Sequence, residues 1–237
     1  MENRRTKLLP KIILGQAAVA LLITTIALSI LFYAEGYRLN VKSWKIAKTG
    51  IVYLVSYPKN SSVFINGVLQ SEKTPMAKNL VSGNYNVEVK NDKYVTWSNN
   101  IKIESQLVKK FENIVLIKDD IEIESLSDSR KISTLYAPSE ILASNNNGLF
   151  YNQYEIWLKN NLVARFSAPI QRAILYPDKE HVVYQQGSAI RIIDDSGRND
   201  TLLIEIDQES PIRFALSNKG EELYFQVDDE YYFAKIR

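Results

Sequence analysis

Between Gly50 and Gly67 the chain reads GIVYLVSYPKNSSVFING, and this stretch decides what kind of protein follows. Ile51 to Val55 is a β-branched and aromatic run, Tyr57-Pro58-Lys59-Asn60 breaks it, Ser62 to Ile65 resumes it, and Asn66-Gly67 closes it. The pattern is strand, turn, strand, turn. Asn-Gly supplies the two positive φ values of a tight hairpin, and Val68-Leu69 begins the returning strand. Past a polar loop with Thr74-Pro75, the residues Tyr85, Val87 and Val89 alternate with Asn84, Asn86, Glu88 and Lys90. One face therefore meets a core and the other meets water. A turn at Asn91-Asp92-Lys93 leads to Tyr94-Val95-Thr96-Trp97, and Ile101, Ile103, Phe111, Ile114 and Leu116 mark further strands. About seven short strands in roughly 70 residues is the density of a small β-sandwich.

The order and spacing of Gly50-Ile51, Ser56-Tyr57-Pro58, Val63-Phe64-Ile65-Asn66-Gly67, Thr74-Pro75, Leu80 with Gly83-Asn84-Tyr85-Asn86-Val87, and Tyr94 followed by Trp97 resemble a PEGA domain over about Gly50 to Ile117. The eponymous tetrapeptide reads Pro58-Lys59-Asn60-Ser61 here. Asn60 tolerates the left-handed conformation that a glycine would supply, so the turn is expected to survive. The resemblance implies a β-sandwich on a bacterial or archaeal cell surface, tied to a membrane helix and other β modules. It implies no catalytic residues.

Upstream, Ile12 to Ala34 is uncharged, with Gln16, Thr24, Thr25 and Ser29 as its strongly polar side chains. About 23 residues of helix cross a ~30 Å hydrocarbon core, and the hydroxyls can bond the preceding turn. A buried soluble helix of this length would carry a polar stripe, and a cleaved signal would have a shorter apolar run without Phe32 so near its end. The expectation is a signal anchor spanning residues 12–34, with a cytoplasmic basic tail at 1–11 and a juxtamembrane linker at 35–49. Arg4, Arg5, Lys7 and Lys11 before the span nearly balance Arg38, Lys42, Lys45 and Lys48 after it, so charge alone does not orient it. The orientation rests on the folded mass lying downstream. Tyr37 and Trp44 are candidates for the headgroup level or, for Trp44, the edge of the next domain.

The 237 residues carry a formal charge of +2. Four Lys/Arg and one Asp/Glu precede Glu35, which leaves 25 of the 29 basic and 26 of the 27 acidic residues beyond it, a net −1 with no field suited to nucleic acid. The absence of cysteine excludes disulfides, thiol catalysis and cysteine-held zinc, and the single His181 makes paired-histidine metal sites and triads improbable.

Downstream, the acidic KDDIEIESLSDSR from Lys118 to Arg130 marks a domain boundary, with Ile121 and Ile123 suited to an edge strand. The rest holds a repeat: Ala173 to Tyr184 is answered by Phe214 to Phe225, each strand–turn–strand, and each followed by another short strand, Ala189 to Ile193 and Tyr231 to Ala234. Tyr184 and Phe225 stand 41 positions apart, near the ~40 to 50 residues of a propeller blade. Ile141-Leu142-Ala143-Ser144 with Gly148 to Tyr151 and Glu155 to Leu158 forms a looser copy. These blocks resemble TolB-like or WD40-like blades without the tryptophan–aspartate pairs. Propellers typically close with ~4 to 8 blades, so an incomplete propeller-like array is expected, with its open end covered by the sandwich or a partner.

Three acidic pairs, Asp119-Asp120, Asp194-Asp195 and Asp228-Asp229, lie where turns are expected, and neighbours on a strand face opposite ways. The loop from Asp194 to Asp200 has oxygen ligands at calcium-loop spacing, but Arg198 places a cation among them, and a hairpin turn is the simpler reading. Sugar rings stack on exposed aromatics, which makes Tyr94, Trp97, Tyr151, Tyr154 and Trp157 candidate ligand contacts against the ordinary use of aromatics in cross-strand packing.

The chain is thus expected to be all-β behind one transmembrane helix, with a PEGA-like sandwich at 50–118 and a propeller-like domain at 119–237. The expected function is that of a single-pass plasma-membrane protein that displays non-catalytic binding or scaffolding modules outside the cytoplasm. Its partners would be the bilayer, through residues 12–34, and an envelope protein or glycan, with a homo-oligomer as an option. No catalytic, cofactor or metal residues are assigned. The alternatives are an envelope glycan-binding module and a propeller-based hydrolase.

Overall fold

The computed structural model describes residues 5–40, 45–136 and 148–237, with side chains placed over 14–37, 47–136 and 148–237. Helix α1 runs Arg5–Ala34. Its segment Leu14–Ala34 has 21 residues, a mean hydropathy of 2.3 and no buried residue, and is long and apolar enough to cross a bilayer. The hydroxyls of Thr24, Thr25 and Ser29 donate to the carbonyls of Ala20, Leu21 and Thr25 at 2.8–2.9 Å, so none is left unpaired along the apolar surface. The helix stops where Gly36 takes φ +78 and the Glu35 and Gly36 N–H groups bond back to Leu31 and Tyr33.

Eight strands follow: β1 (Tyr37–Asn40), β2 (Lys45–Tyr57), β3 (Ser62–Ile65), β4 (Val68–Lys73), β5 (Met76–Val81), β6 (Gly83–Lys90), β7 (Trp97–Ile103) and β8 (Val108–Val115). By contact, the chain separates into two compact units. One comprises Met1–Tyr53, Ala77–Asn84 and Lys102–Lys110, and the other Leu54–Met76, Tyr85–Ile101 and Phe111–Arg237.

In the first unit β1 lies antiparallel to the start of β2, Tyr37 opposite Lys48 and Asn40 opposite Lys45. The stretch expected as a linker at 35–49 is therefore tied into a sheet, and its Trp44 lies outside the described residues. The buried Thr49 donates both its N–H and its hydroxyl to the Gly36 carbonyl at 3.0 Å. Gly50 sits beneath the turn joining β7 to β8, where the Gln106 N–H reaches Thr49 O and the Ile51 N–H reaches Leu107 O, both at 2.9 Å. A Cβ on Gly50 would stand 2.1 Å from Glu104 O and 2.9 Å from Leu107 O, so the close backbone approach admits only glycine.

The second unit opens with the sheet ordered β4-β3-β6-β7. Val63 lies opposite Val89 and Ile65 opposite Val87, and all four are buried, as the alternation requires. Asn66 and Gly67 take φ +49 and +75, the hairpin turn that their pairing implies. Asn60 takes φ +60, so the turn at Pro58-Lys59-Asn60-Ser61 is kept without a glycine. A buried hydroxyl network fixes this turn. Ser56 Oγ donates to Pro58 O at 2.7 Å, leaving the Thr74 hydroxyl to donate to Ser56 Oγ at 2.6 Å while it accepts the Ser61 N–H at 3.1 Å. Thr74→Val keeps the shape but orphans the Ser61 N–H. It is expected to lower stability by about 1–3 kcal/mol, measured by urea unfolding of the full chain in detergent.

The remaining elements of this unit are β9 (Ile123–Ser125), α2 (Ser129–Tyr136), β10 (Leu149–Tyr151), β11 (Glu155–Leu158), β12 (Asn161–Arg165), β13 (Ile170–Leu175), β14 (His181–Gln186), β15 (Ala189–Asp194), β16 (Thr201–Glu205), β17 (Arg213–Leu216), β18 (Glu222–Val227) and β19 (Glu230–Lys235). They form three successive antiparallel sheets, ordered β10-β11-β12, β13-β14-β15-β16 and β17-β18-β19-β9. Residues 141–147 of the looser repeat copy lie outside the described residues. The two clear copies superpose in their bonding. The Tyr176 N–H bonds His181 O and the Lys179 N–H bonds Tyr176 O, and 41 residues on, Ser217 and Gly220 do the same with Glu222 and Ser217. Lys179 and Gly220 are both left-handed, at φ +62 and +67.

The middle sheet is buried on both faces. Ile174, Val183, Ile190 and Ile192 pack with Phe214, Leu223, Phe225 and Ala234 of the third sheet, in a cluster that Val115 and Ile117 also enter. Ala173, Leu175, Val182 and Tyr184 pack with Ile156, Leu158 and Val163 of the first sheet. Each such fully buried side chain contributes about 1.5–3 kcal/mol. Strand β9 closes the third sheet by pairing with β19, Ile123 opposite Ala234, so residues more than a hundred positions apart complete one sheet. Helix α2 adds a second helix to the expected single one. Asp128 caps it by accepting the Arg130 N–H at 2.9 Å. Its Leu135 and Ile132, with Leu126, cover the outer face of the third sheet at Tyr224 and Phe233.

Three tyrosines report on these cores. Burial pushes the Tyr176 phenol from 10.0 up to about 12, while burial, with Asp200 beside Tyr184 and Glu222 hydrogen-bonded to Tyr224, raises those two as well. In the unfolded chain the phenols titrate near 10, so between about pH 10 and 12 the unfolded state sheds protons that the folded state keeps. Stability is expected to be whole below pH 10 and to fall as pH rises past it. Tyr176 alone accounts for roughly 2–3 kcal/mol of that loss by pH 12. Urea midpoints taken between pH 9 and 12 measure it.

Candidate binding surface

The aromatic residues proposed as contacts separate by burial. Trp97 is only 5% exposed and meets Phe111 edge-on at 5.4 Å, so its ring is not open to a ligand. Tyr94 is half-buried, in an isolated bridge with Lys118. Tyr151 turns inward onto the core between the first and second sheets. Tyr154 is exposed in the turn before β11.

Trp157 lies on the opposite face of the first sheet from Ile156 and Leu158, because side chains alternate along β11. Its cross-strand neighbours are Phe150 on β10 and Leu162 on β12. These two are 61% and 41% exposed and Trp157 is half-buried between them, so the three side chains make a partly open row across the sheet. Beside the row, Glu155 Oε2 accepts the Trp157 indole N–H at 3.1 Å, and Glu155 Oε1 accepts from Arg165 Nε at 2.8 Å. The indole N–H first, then the guanidinium, hold the Glu155 carboxyl below the ordinary glutamate range. The surface thus offers an apolar shelf edged by a fixed carboxylate and a cation, which suits stacking against a ring or apolar face and hydrogen bonding at its rim. Phe150 and Leu162 were not singled out from sequence. The signal was their place on the strands either side of Trp157, which only the register reveals.

The acidic pairs occupy three different turns. Asp228-Asp229 joins β18 to β19, and Asp119-Asp120 follows the Lys118 N–H bond to Ile236 O beyond the far end of β19. Asp194 is buried and uses its carboxylate locally, accepting from the Ser196 N–H and hydroxyl, the Arg198 N–H and the Asn199 amide at 2.6–3.0 Å. It is a turn-forming residue. The same loop bonds to β7, where Arg198 Nη1 donates to Asn99 Oδ1 at 2.8 Å and the Ser98 N–H to Asn199 Oδ1 at 3.0 Å. His181 is buried, its Nδ1 2.7 Å from Asp178 Oδ2 and its ring edge-on to Tyr176. Burial would raise the Asp178 carboxyl, but hydrogen bonds from His181 and from the Glu180 and His181 N–H groups outweigh it and hold it below the usual aspartate value. Among the described residues no three His, Asp or Glu side chains gather as metal ligands.

No curated protein matches the chain. Residues 49–114, the stretch whose strands run from within β2 into β8, match the family model of the PEGA domain, and the N-terminal helix and the three following sheets lie outside that match.

Proposed function

We propose that this is a single-pass membrane protein, anchored by α1, that presents its PEGA domain and three-sheet array outside the cytoplasm as a non-catalytic binding and scaffolding module. The observation that carries the reading is the unequal covering of the array. Its last sheet is closed by α2, while its first sheet leaves Phe150 and Leu162 exposed on either side of a half-buried Trp157. Large apolar side chains aligned across a sheet give a ligand a surface to desolvate and stack against. The array is read as propeller-like on three supports: the 41-residue period of its turns, the face-to-face stacking of consecutive sheets, and the return of β9 to complete the last one.

The size of the open face favours a glycan as its ligand. Three strands of about four residues present roughly 200 Å², far below the ~800 Å² per partner of a stable protein interface. Two or three sugar rings fit it, with hydroxyls toward Glu155 and Arg165. The test is co-sedimentation of the full chain, in detergent micelles, with peptidoglycan and with purified surface polysaccharide. Retention is expected on one of them, reduced at least about tenfold by Trp157→Ala. Retention on neither removes the glycan reading. Turnover of either polymer that is lost with one acidic substitution overturns the non-catalytic reading and restores the hydrolase.

A further inference from the structure

The outer strands of the second and third sheets, β16 and β9, border an open groove of about 470 Å³. Val95, Ile121, Ile123 and Leu202 give it an apolar lining, with Val95, Ile123 and Leu202 each 38–45% exposed. Both rims are sheet edges. β16 pairs only with β15, and β9 only with β19, so the other side of each carries backbone N–H and C=O groups with no strand beside them among the described residues. Proteins normally blunt such edges with Lys, Pro or a covering loop. β16 reads Thr201-Leu202-Leu203-Ile204-Glu205 and has neither Lys nor Pro.

The charge around the groove is mostly acidic. Asp119 and Glu205 line it and form no ion pair among the described residues, and Asp120, Glu122, Glu124 and Asp207 flank it in sequence, while Lys118 is the one cation among its described lining residues. The Asp200 carboxylate is already met by Arg191 at 3.0 Å.

We propose that this groove receives an extended segment of a partner polypeptide, in which apolar residues alternate with Lys or Arg, and that the segment adds a strand to the free edge of β16. Main-chain bonds to the edge supply affinity without sequence preference, the apolar side chains cover Leu202 and Ile123, and the basic ones meet Asp119 and Glu205. The site is separate from the Trp157 shelf and does not depend on what that shelf binds.

The test uses the full chain in detergent micelles and three labelled eight-residue peptides: alternating Lys and Val, alternating Glu and Val, and the first with a central proline. The Lys-Val peptide is expected to bind, with affinity falling as salt rises. The acidic and proline-bearing peptides are expected to bind at least about tenfold more weakly, because one meets like charge and the other lacks a main-chain donor. Asp119→Lys with Glu205→Lys is expected to reverse the charge preference. Amide exchange is expected to slow at residues 201–205 when the Lys-Val peptide is present. Equal binding of all three peptides, no binding of any, or protection elsewhere than β16 overturns the proposal. Protection of β16 that grows with protein concentration and without peptide also overturns it, since a second copy then fills the groove.

Discussion

Gly50→Val is expected to unfold the first unit at temperatures where the native chain is intact. The Cβ would sit 2.1 Å from Glu104 O and 2.9 Å from Leu107 O. Both are backbone atoms in a turn held across the strand, with the Gln106 N–H donating to Thr49 O and Leu107 O accepting the Ile51 N–H, so no side chain can move aside. Relief requires breaking the bonds Gln106 N–H to Thr49 O and Ile51 N–H to Leu107 O. A loss of at least about 4 kcal/mol is expected, a large share of the 5–15 kcal/mol that holds an ordinary domain. Gly67→Ala is the control. Nothing lies within 4 Å of its Cβ, so only the φ of +75 is penalised, and the loss should stay near 1 kcal/mol. Thermal melts of the two variants, followed by far-ultraviolet circular dichroism, separate the two cases.

Gly220→Val carries the second large effect, and it acts on the third sheet. Its Cβ would fall 2.3–2.5 Å from the Tyr176 ring, which is buried and donates its hydroxyl to Gly220 O at 2.7 Å. The φ of +67 adds backbone strain that a β-branched residue tolerates worst. About 4 kcal/mol or more should be lost, against about 1–2 kcal/mol for Tyr176→Phe, which forfeits only the hydrogen bond. Lys179 holds the equivalent place in the preceding repeat copy, and Lys179→Gly is expected to be neutral or to gain up to about 1 kcal/mol by removing left-handed strain. Urea midpoints of the three variants rank these effects. A Gly220→Val midpoint equal to wild type would contradict the packing of Tyr176 described above.

Local chemistry made the strands and turns legible. Asn66-Gly67 is the hairpin it spells, Asn60 takes the turn conformation a glycine would supply, and the 41-residue spacing of Tyr184 and Phe225 is kept in the bonding of the turns beside them. What could not be read are the features set by partners distant in sequence. The acidic stretch does supply the edge strand expected at Ile121 and Ile123, but its partner β19 was out of sight, as was α2, whose short amphipathic pattern has meaning only against Tyr224 and Phe233. The same limit applied to the aromatics. Trp97 and Trp157 look alike in sequence, yet strand register buries one against Phe111 and leaves the other beside Phe150 and Leu162. Leu202 and Ile123 look like ordinary strand residues until two sheets bring their edges to one groove.

The central claim is that α1 spans the membrane and holds every β module on the outer side. The chain has no cysteine, so single cysteines placed at Asn3 and at Asp229 give a background-free readout with a membrane-impermeant maleimide. Intact cells should label the Asp229→Cys variant at once and the Asn3→Cys variant only after lysis, with both chains sedimenting with membranes. Labelling in the reverse order, or a labelled Asp229→Cys chain that is free of membranes, would contradict the account.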